Sequence, residues 1–571
     1  MARPNKDVAA LLQEYAELVR ITGGDAFKAR AYEKAARSVS GHPADLSTLD
    51  ATALREIPNV GRSIADKIET CLATGTMPEL EKARGQIPDG VRRLMSVPAL
   101  GPKKALTLYE TLGVSSVPEL REAIEAGRLR DLKGFGVRTE QNILHGIDIL
   151  QAATGRIGLG EATDTAEAVV EELSALPGCA RCTWAGSLRR MRESVGDIDV
   201  LVASRRSAPF MDALTGLPYV ADVIAHGTTK TSVRTVDGVQ IDLRVVPPGS
   251  WGAALIYFTG SRAHNIRIRD RAHRRGLKLS EYGLFRTGSG RRTAARTEEE
   301  VYARLDLPWI PPPLREDRGE IEAALAGELP ALVTSADLRG DLHTHTDLTD
   351  GLAPLEDMVD AAARVGLEYY AVTDHAPDLV MQGMTDEKAL AQRDRLRELD
   401  GHRGMRLLHG TELNIGPDGG VDWPPDFLRG FDVCVASVHS HFQQGPEAAT
   451  RRLVTACENP HIHILGHPTT RILGKRGPLD ADLDAVFAAC ARTGTILEIN
   501  AHPHRLDLGD ENILRARRHG VKFAVDTDAH SVPDLDNRRF GVGTAQRGWL
   551  TADDIVNTWP LARLLRHLHS R

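Results

Sequence analysis

Histidines and carboxylates recur along the C-terminal part of the chain, each time at the end of an apolar run. The runs have the length of buried strands and read DLHTH at 341–345 followed by Asp350, VTDH at 372–375, HGTEL at 409–413, SVHSH at 437–441, ILGHP at 464–468 and VDTDAH at 525–530. In a parallel α/β barrel the carboxyl ends of the strands meet at one mouth, where active sites lie. These ligand types converging there predict a metal-dependent hydrolase with room for more than one ion.

Strands and helices alternate from Leu338 onward, and the apolar run GTILEIN at 494–500 adds a further strand. The alternation predicts a barrel of about seven βα units. A proline-rich stretch at 306–313 closes the region before it, and residues 314–336 are expected to form a helical linker.

Bulk composition excludes an integral membrane protein. The chain has 571 residues, which suggests about three or four domains, and no apolar run approaches the ~18 residues of a membrane helix. The N-terminus lacks the pattern of a signal peptide, so we expect a cytoplasmic protein. Basic residues outnumber acidic ones in 151–318, which favours binding to a polyanion. Surface charge also varies between domains for solubility alone, so this excess by itself does not decide the function. The lone CxxC of Cys179 and Cys182 is interpreted as reduced thiols rather than part of a zinc knuckle.

The first 150 residues repeat a pattern of a short turn, a glycine and an amphipathic helix. The repeats lie at 57–68, 97–109 and 132–144, with marker glycines Gly61, Gly101 and Gly136. Glycine permits close approach, and the following helix N-terminus attracts phosphate. The segments resemble helix–hairpin–helix motifs, which grip the DNA backbone without reading its sequence. A single match would also suit a packed helical hairpin, but three in series favour DNA binding.

The middle of the chain carries a motif for phosphoryl transfer, GSLRRMRESVGDIDVLV at 186–202. Asp197 and Asp199 are two apart on a predicted strand and therefore share a face, and Asp242 lies on another predicted strand. Together they could hold two divalent ions. An exposed acidic strand edge is the alternative for an isolated DxD. The strands of a mostly antiparallel sheet are predicted at 182–186, 197–203, 239–246 and 253–260.

This motif, the IDL segment around Asp242 and YFTGSRAHN at 257–265 resemble the core of the X-family DNA polymerases, of the polymerase beta type. The resemblance implies that Asp197, Asp199 and Asp242 are catalytic and bind Mg²⁺ or Mn²⁺. It implies the following nucleotide and DNA contacts: Gly186, Ser187, Arg190 and Gly196 to phosphates, Tyr257, Phe258 and Gly260 to the sugar, and Asn265 and Arg269 to the minor groove. Val195 and Arg262 depart from the eukaryotic pattern.

The N-terminal hairpins are similar to the lyase domain and fingers of the same family. By that resemblance Lys67 is the Schiff-base lysine of a 5′-dRP lyase, and Lys28 and Tyr32 hold a 5′-phosphate. Phe27 and Ser63 differ from the family pattern. A lysine amine attacks an aldehyde only if its pKa is depressed, so a simple contact of Lys67 with DNA phosphate or water remains the alternative.

The C-terminal segments resemble the polymerase-and-histidinol-phosphatase (PHP) domain, a distorted seven-stranded barrel with three metal ions. By resemblance, the ligand sets are His343, His345, Glu412 and Asp528 for the first ion, Asp350, His375 and His530 for the second, and Glu412, His439 and His467 for the third. Such mixed ligands suit Zn²⁺ or Mn²⁺. Asp374 and His441 adjoin ligands and are either orienting residues or solvent-facing ones.

Together these patterns predict a multidomain chain. The expected regions are a helical lyase-like domain at 1–90, helix–hairpin–helix fingers at 91–150, an α+β nucleotidyltransferase-type polymerase core at 151–318, a linker at 319–337 and a distorted (βα)7 PHP barrel at 338–571. The predicted function is gap filling in DNA repair with 3′–5′ exonuclease activity, and AP endonuclease and lyase activities as possible additions. The expected partners are gapped or nicked DNA and dNTPs, with the protein acting as a monomer. The alternative is a 3′-end-processing nuclease or phosphatase whose middle domain only binds DNA.

Overall fold

The computed structural model describes residues 4–21, 25–42, 44–98, 100–130, 132–153, 155–379 and 383–570. The chain divides into two compact units. One contains residues 1–154, 340–482 and 527–537, and the other contains residues 155–339, 483–526 and 538–571. None of the helices in the described ranges combines the length and the apolar character that a membrane crossing requires. Cys71, Cys179, Cys182 and Cys434 are free thiols.

The N-terminal region is helical, and apolar side chains from one face of each helix share a buried core. Its helices are α1 (Pro4–Ile21), α2 (Ala26–Ser40), α3 (Ala51–Glu56), α4 (Arg62–Thr74), α5 (Pro78–Gln86), α6 (Asp89–Met95), α7 (Pro102–Leu112), α8 (Val117–Glu125) and α9 (Val137–Ala153). Gly61 and Gly101 are the N-caps of α4 and α7, and Gly136 directly precedes α9. Each predicted repeat is therefore a turn that leads into a helix.

The middle region is built around a sheet that contains both parallel and antiparallel strands. The elements are β1 (Ile157–Gly158), α10 (Leu159–Ser174), β2 (Arg181–Trp184), α11 (Gly186–Arg189), β3 (Ser194–Val195), β4 (Asp197–Ala203), α12 (Ala208–Thr215), β5 (Val220–His226), β6 (Lys230–Thr235), β7 (Gln240–Val246), α13 (Trp251–Thr259), α14 (Arg262–Arg274), β8 (Leu277–Ser280), β9 (Gly283–Arg286), β10 (Arg292–Ala294), α15 (Glu298–Arg304) and α16 (Glu320–Ala326). The main sheet has the order β2–β4–β7–β6–β5, and only β4 and β7 are parallel neighbours. Ile198 and Val200 of β4 are buried, so strand alternation places Asp197 and Asp199 on the other face.

One predicted strand of this region is wrong. The segment 253–260 lies in helix α13, not in the sheet. Residues 251–256 are all buried, so no polar face reveals the helical period, and a short apolar run cannot be assigned by periodicity alone. Gly252 lets the helix lie directly on a neighbouring backbone, since a Cβ there would stand 2.0 Å from the carbonyl carbon of Thr297.

The segment predicted as a linker at 319–337 begins inside the middle region's fold. Helix α16 buries Ile321 and Ala324 in the same core as α14 and α15. The carboxylate of Glu320 lies 2.6 Å from Nδ1 of His264, and both side chains are fully buried. A buried charge is retained where it has a partner, so this pair anchors α16 to α14.

The C-terminal region is a barrel of parallel strands. Its elements are β11 (Gly340–Asp341), α17 (Leu355–Arg364), β12 (Tyr369–Val372), α18 (Asp386–Leu399), β13 (Arg406–Asn414), α19 (Pro425–Leu428), β14 (Val433–Ser437), α20 (Pro446–Glu458), β15 (Ile464–Leu465), α21 (Leu483–Thr493), β16 (Ile496–Asn500), α22 (Asp510–Arg518), β17 (Phe523–Asp526), α23 (Arg538–Arg547) and α24 (Leu561–Leu568). The strands follow one another in chain order in a seven-stranded sheet. After β17 the chain returns beside β11, where the Asp528 amide donates to the carbonyl of His343 and the His345 amide donates to that of Ala529. The predicted seven-stranded barrel is confirmed.

Two candidate metal centres

Three carboxylates meet on one face of the middle sheet. Asp197 and Asp199 occupy alternate positions of β4, and the parallel strand β7 places Asp242 opposite Asp199. One carboxylate oxygen from each residue lies within 4.8 Å of the others. The structure therefore brings the predicted triad together in an arrangement that could hold two divalent cations.

The charge of this triad is only partly compensated. Burial, together with the charges of Asp197 and Asp242, raises the pKa of Asp199 to about 7. Burial also raises the pKa of Asp242, but hydrogen bonds led by Lys230 outweigh burial and leave this pKa below its ordinary value. Lys230 Nζ lies 2.5 Å from Asp242 Oδ2, and Gln240 Nε2 donates to Oδ1 at 3.0 Å. Lys230, Arg156 and Arg244 act against burial, but the pKa values of Asp197 and Asp199 stay above the ordinary value, so the donor set fits divalent metal.

A glycine turn rests directly on the triad. Gly186 has a φ of +61°, and a Cβ there would stand 2.2 Å from Oδ2 of Asp199, so the position accepts only glycine. Ser187 follows it in α11 and is half-buried, and Gly196 is exposed directly before Asp197. Three of the predicted phosphate contacts thus border the carboxylates.

Arg190, the fourth predicted phosphate contact, is directed elsewhere. Its Nε donates to Glu316 at 3.0 Å and its Nη1 donates to the carbonyl of Thr259 at 2.9 Å. Only 9% of the residue is exposed. The neighbouring Arg189 forms a two-pronged pair with Glu298. Arg189 and Arg190 therefore brace the turn from within the protein, a role that was not predicted from the sequence.

Asn265 fixes the turn that follows α13. Its Nδ2 donates to the carbonyls of Tyr257 at 2.7 Å and Gly260 at 3.0 Å, and a Cβ on Gly260 would stand 2.4 Å from Asn265 Oδ1. The rings of Tyr257 and Phe258 meet edge to face with centroids 5.1 Å apart. Arg269 is exposed one turn further along α14. Tyr257, Gly260 and Asn265, which were predicted to contact the sugar and the minor groove, therefore belong to one hydrogen-bonded turn.

The marker glycines of the helical region face open space. A Cβ on Gly61, Gly101 or Gly136 would meet nothing within 4 Å, and none of the three has a positive φ. Neither packing nor backbone conformation explains glycine at these positions. Room for the close approach of an external phosphate to the helix N-terminus does.

The proposed lyase lysine does not have the expected electrostatics. Lys67 Nζ donates to the hydroxyl of Ser63 at 3.0 Å and lies 3.3 Å from the carboxylate of Glu79. Burial lowers the pKa of Lys67, but Tyr32 and Glu79 outweigh burial and raise it above its ordinary value. Lys28 Nζ donates to the hydroxyl of Tyr15, a contact that likewise raises its pKa. Lys67 is therefore protonated in this conformation.

Glu412 lies at the centre of the barrel site. Its Oε2 is 3.4 Å from His343 Nε2 and 3.5 Å from His345 Nε2. Its Oε1 is 3.2 Å from His439 Nε2 and 3.0 Å from His467 Nε2. Both carboxylate oxygens thus face imidazole nitrogens, which is the arrangement expected of a bridging ligand. Glu412 is an inward-facing residue within β13, and the strand continues past it to Asn414.

The remaining predicted ligands complete the site around Asp350 and Asp528. Asp350 Oδ2 is 3.4 Å from His375 Nε2 and 3.3 Å from His530 Nε2, and Asp528 Oδ1 is 3.2 Å from His345 Nε2. Among the described residues, the groups with ligand atoms within 4.8 Å of one another are His343, His345 and Asp528; His345, Asp350, His375 and His530; and His375, Glu412 and His439. His345 and His375 each belong to two of these groups. In the ligand sets that the family resemblance implies, the residue that belongs to two sets is Glu412.

The chemistry of this pocket fits bound cations. Both ring nitrogens of His345, Nδ1 of His375 and Oδ1 of Asp350 are buried without a hydrogen-bond partner in the described structure. Buried polar atoms are normally paired, so unpaired ligand-type atoms gathered in one pocket fit a site that holds cations. Burial raises the pKa of Glu412, but the charges of His439, His343 and His375 hold it well below its ordinary value.

Residues outside the predicted ligand set orient the ligands. Asn414 Oδ1 lies 2.7 Å from His439 Nδ1, which turns Nε2 of that ring toward Glu412. Asp374 is buried and accepts hydrogen bonds from the hydroxyls of Thr346 and Thr349, in the loop between His345 and Asp350. Asp374 is therefore an orienting residue, whereas His441 is exposed.

Two polar residues near the proposed metal ligands, Asn414 and Lys230, were not predicted from the sequence. Asn414 lies two residues after Glu412 and so shares its strand face, a signal that strand periodicity offered. Lys230 had no comparable signal, because its position depends on the pairing of β6 with β7.

The fold and the two sites define a class: a nucleotidyltransferase-type core and a phosphoesterase barrel lined with metal-ligand side chains, in one chain. The matching families are the helix-hairpin-helix domain at residues 3–77, the SAM-like helix-hairpin-helix tandem at 91–147, the DNA polymerase beta thumb at 254–316 and the PHP domain at 341–502.

Similar proteins agree with this class. The chain is 34% identical over 556 residues to the DNA polymerase/3'-5' exonuclease PolX of Bacillus subtilis (strain 168), which covers 97% of each protein. It is 26% identical over 322 residues to DNA polymerase lambda of Rattus norvegicus, covering 51% of this chain and 53% of that protein. It is 29% identical over 231 residues to a probable phosphatase of Thermoanaerobacter sp. (strain X514), covering 38% of this chain and 89% of that protein.

The chain belongs to the bacterial X-family DNA polymerases that carry a C-terminal PHP domain. As a member it is an enzyme that binds DNA and uses divalent metal ions.

Proposed function

We propose that this protein fills short gaps in duplex DNA during repair and trims 3′ ends with a separate 3′–5′ exonuclease site. The observation that carries the proposal is the presence of two complete ligand sets in one chain, the carboxylate triad of the sheet and the histidine-rich set of the barrel. The Bacillus subtilis protein, which is similar over nearly the full length, combines the same two activities in its name.

In the polymerase site, Asp197, Asp199 and Asp242 bind the ions and the turn at Gly186 and Ser187 receives the triphosphate. Two Mg²⁺ or Mn²⁺ ions, when bound, would supply the charge that activates the primer 3′-hydroxyl and stabilises the leaving pyrophosphate. Asn265 holds the Tyr257–Gly260 turn, which is placed to select the sugar. The hairpin glycines fix the DNA by its phosphates, so they contribute no sequence preference.

In the barrel site, nine side chains hold the cations and enclose the phosphodiester. Three divalent ions, Zn²⁺ or Mn²⁺, would supply an acidified water and the positive charge that polarises phosphate oxygens. The protein's own part is orientation: Asn414 sets the ring of His439, and Asp374 holds the loop that ends at Asp350. An abasic-site cleavage at this same site is compatible with its chemistry.

One gapped duplex with a labelled primer tests both activities. With dNTPs and Mg²⁺ the primer should extend through the gap, and without dNTPs it should shorten from its 3′ end. Shortening without extension in every metal tested would favour the alternative, a 3′-end-processing nuclease whose middle domain only binds DNA.

The phosphate turn has its own test. Ser187→Ala should raise the KM for dNTP several-fold with little change in kcat, because a hydroxyl-to-phosphate contact contributes about 1 kcal/mol. A KM equal to that of the wild type would remove Ser187 from the proposal.

Lyase activity through Lys67 requires a deprotonated amine, which the Glu79 carboxylate opposes. We therefore expect borohydride to trap little covalent complex between the wild-type protein and a 5′-dRP end. Abundant trapping that Lys67→Ala eliminates would show that DNA binding separates Lys67 from Glu79.

A further inference from the structure

We propose that Arg547, a residue of the C-terminal region, is a positioning residue of the polymerase site. It would set the KM for dNTP by holding the end of the turn that begins at Gly186. The inference rests on the proposed role of that turn in receiving the triphosphate.

The turn ends in a backbone that needs support. Helix α11 is only one turn long, and Met191, just after it, has a φ of +57°. A methionine in the left-handed region is strained and persists only where its surroundings impose it. The other end of the turn lies against Asp199, so a movement of Met191 would be passed to the triad's border.

Arg547 supplies that support. Its Nη1 donates to the carbonyl of Arg190 at 2.8 Å, directly before Met191, and to Oε1 of Glu316 at 2.8 Å. Its Nη2 donates to Asp510 at 2.7 Å. Only 5% of Arg547 is exposed. A planar guanidinium with several donors can bind three acceptors at fixed angles, and a lysine ammonium cannot reproduce that fork.

The charges around Arg547 form a closed network. Glu316 lies between Arg547 and Arg190, whose Nε donates to it at 3.0 Å. Asp510 lies between Arg547 and Arg318, whose Nη1 donates to it at 2.8 Å. Arg192 Nη1 also lies 3.6 Å from Oε1 of Glu316. Removal of the central cation leaves Asp510 with Arg318 alone and Glu316 with Arg190 and Arg192, so the network must rearrange around Arg190.

A glycine on the same helix face shows how closely α23 meets the turn. Gly543 is four residues before Arg547, and a Cβ there would stand 2.4 Å from Cε and 3.0 Å from Cβ of Met191. Residues four apart share a helix face, so Gly543 and Arg547 contact residues 190 and 191 from the same side. Gly543 packs closely against Met191, and Arg547 donates a hydrogen bond to the carbonyl of Arg190.

The full-length protein tests the inference by steady-state filling of a one-nucleotide gap, with 3′–5′ degradation and melting temperature measured in parallel. Arg547→Ala should raise the KM for dNTP about tenfold, the equivalent of one lost charged contact, with a smaller change in kcat. Arg547→Lys should be intermediate, and Gly543→Ala should raise the KM through Met191. Exonuclease rates should stay within about twofold of the wild type.

The matched control is Arg539→Ala. Arg539 lies on the same helix and pairs with Glu167 at 2.7 Å, but it is part-exposed and makes no contact with the turn in the described structure. It should leave the KM for dNTP unchanged. Equal KM increases in both variants, or a parallel fall in exonuclease activity, would indicate general loosening and overturn the inference.

A folded Arg547→Lys or Arg547→Ala protein with a wild-type KM would also overturn it. Ser187→Ala separates the two proposals. A raised KM in Ser187→Ala with a normal KM in Arg547→Ala rejects only Arg547, whereas a normal KM in Ser187→Ala rejects the phosphate turn itself.

Discussion

The two metal centres of this protein are built from different side chains. In the barrel, six of the nine proposed ligands are histidines, and Glu412 lies fully enclosed among them. In the sheet, the proposed ligands are carboxylates alone, and Asp197 and Asp199 are only partly buried. A histidine-rich enclosed pocket binds borderline cations whether or not substrate is present. Carboxylates at an open face bind hard cations weakly, and the incoming triphosphate completes the coordination. The barrel is therefore expected to retain its metal and the sheet to exchange it.

The contrast between the two sites fails if either site can catalyse the reaction that is assigned to the other. Replacing Asp197 and Asp199 together with alanine should abolish primer extension, a loss of more than about 10³-fold, because the ions lose their ligands. Degradation of the 3′ end should continue at the wild-type rate. Equal loss of both activities in a folded double variant would contradict the two-site arrangement.

The reciprocal change is His343→Ala or Asp528→Ala in the barrel. Either should abolish degradation while extension is retained, since each ligand lies far along the chain from the triad and belongs to a separate cluster. Product ladders on the same gapped duplex measure both activities. Exonuclease activity retained in either variant would place the nuclease elsewhere in the chain.

Metal removal tests retention directly. After brief treatment with a chelator and desalting, Mg²⁺ alone should restore extension, whereas bound metal measured by elemental analysis should fall more slowly in the barrel. Asp197→Ala with Asp199→Ala should leave the tightly bound metal content unchanged, and Asp528→Ala should lower it. Loss of all metal at one rate from the wild type would remove the distinction between the sites.

The smallest effects are expected for residues that form hydrogen bonds to the proposed ligands. Asn414→Ala should weaken metal binding or activity of the barrel by about 10–100-fold, because His439 loses the partner that fixes its ring. Gln240→Ala should lower extension less, since Lys230 still compensates Asp242. A stronger effect at Gln240 than at Asn414 would mean that the sheet site depends more on preorganisation than its open ligands suggest.

Much of the architecture could be predicted because its signals are local. Strand alternation placed Asp197 and Asp199 on one face, and apolar runs that end in ligand residues predicted the seven-stranded barrel. The wrong prediction, a strand at 253–260, came from an apolar segment that begins with an unbroken buried run to Ile256, and the period of such a run carries no information.

The sequence by itself determined which chemistry the chain carries, because ligand type and strand or helix period are properties of neighbouring residues. Tertiary structure decided what each charged side chain contacts. It turned Arg190 toward Glu316, gave Asp242 the ammonium of Lys230 and set Arg547 on a carbonyl 357 residues away. Such pairings depend on how separate elements pack, and a local pattern contains no record of distances between residues so far apart in the chain.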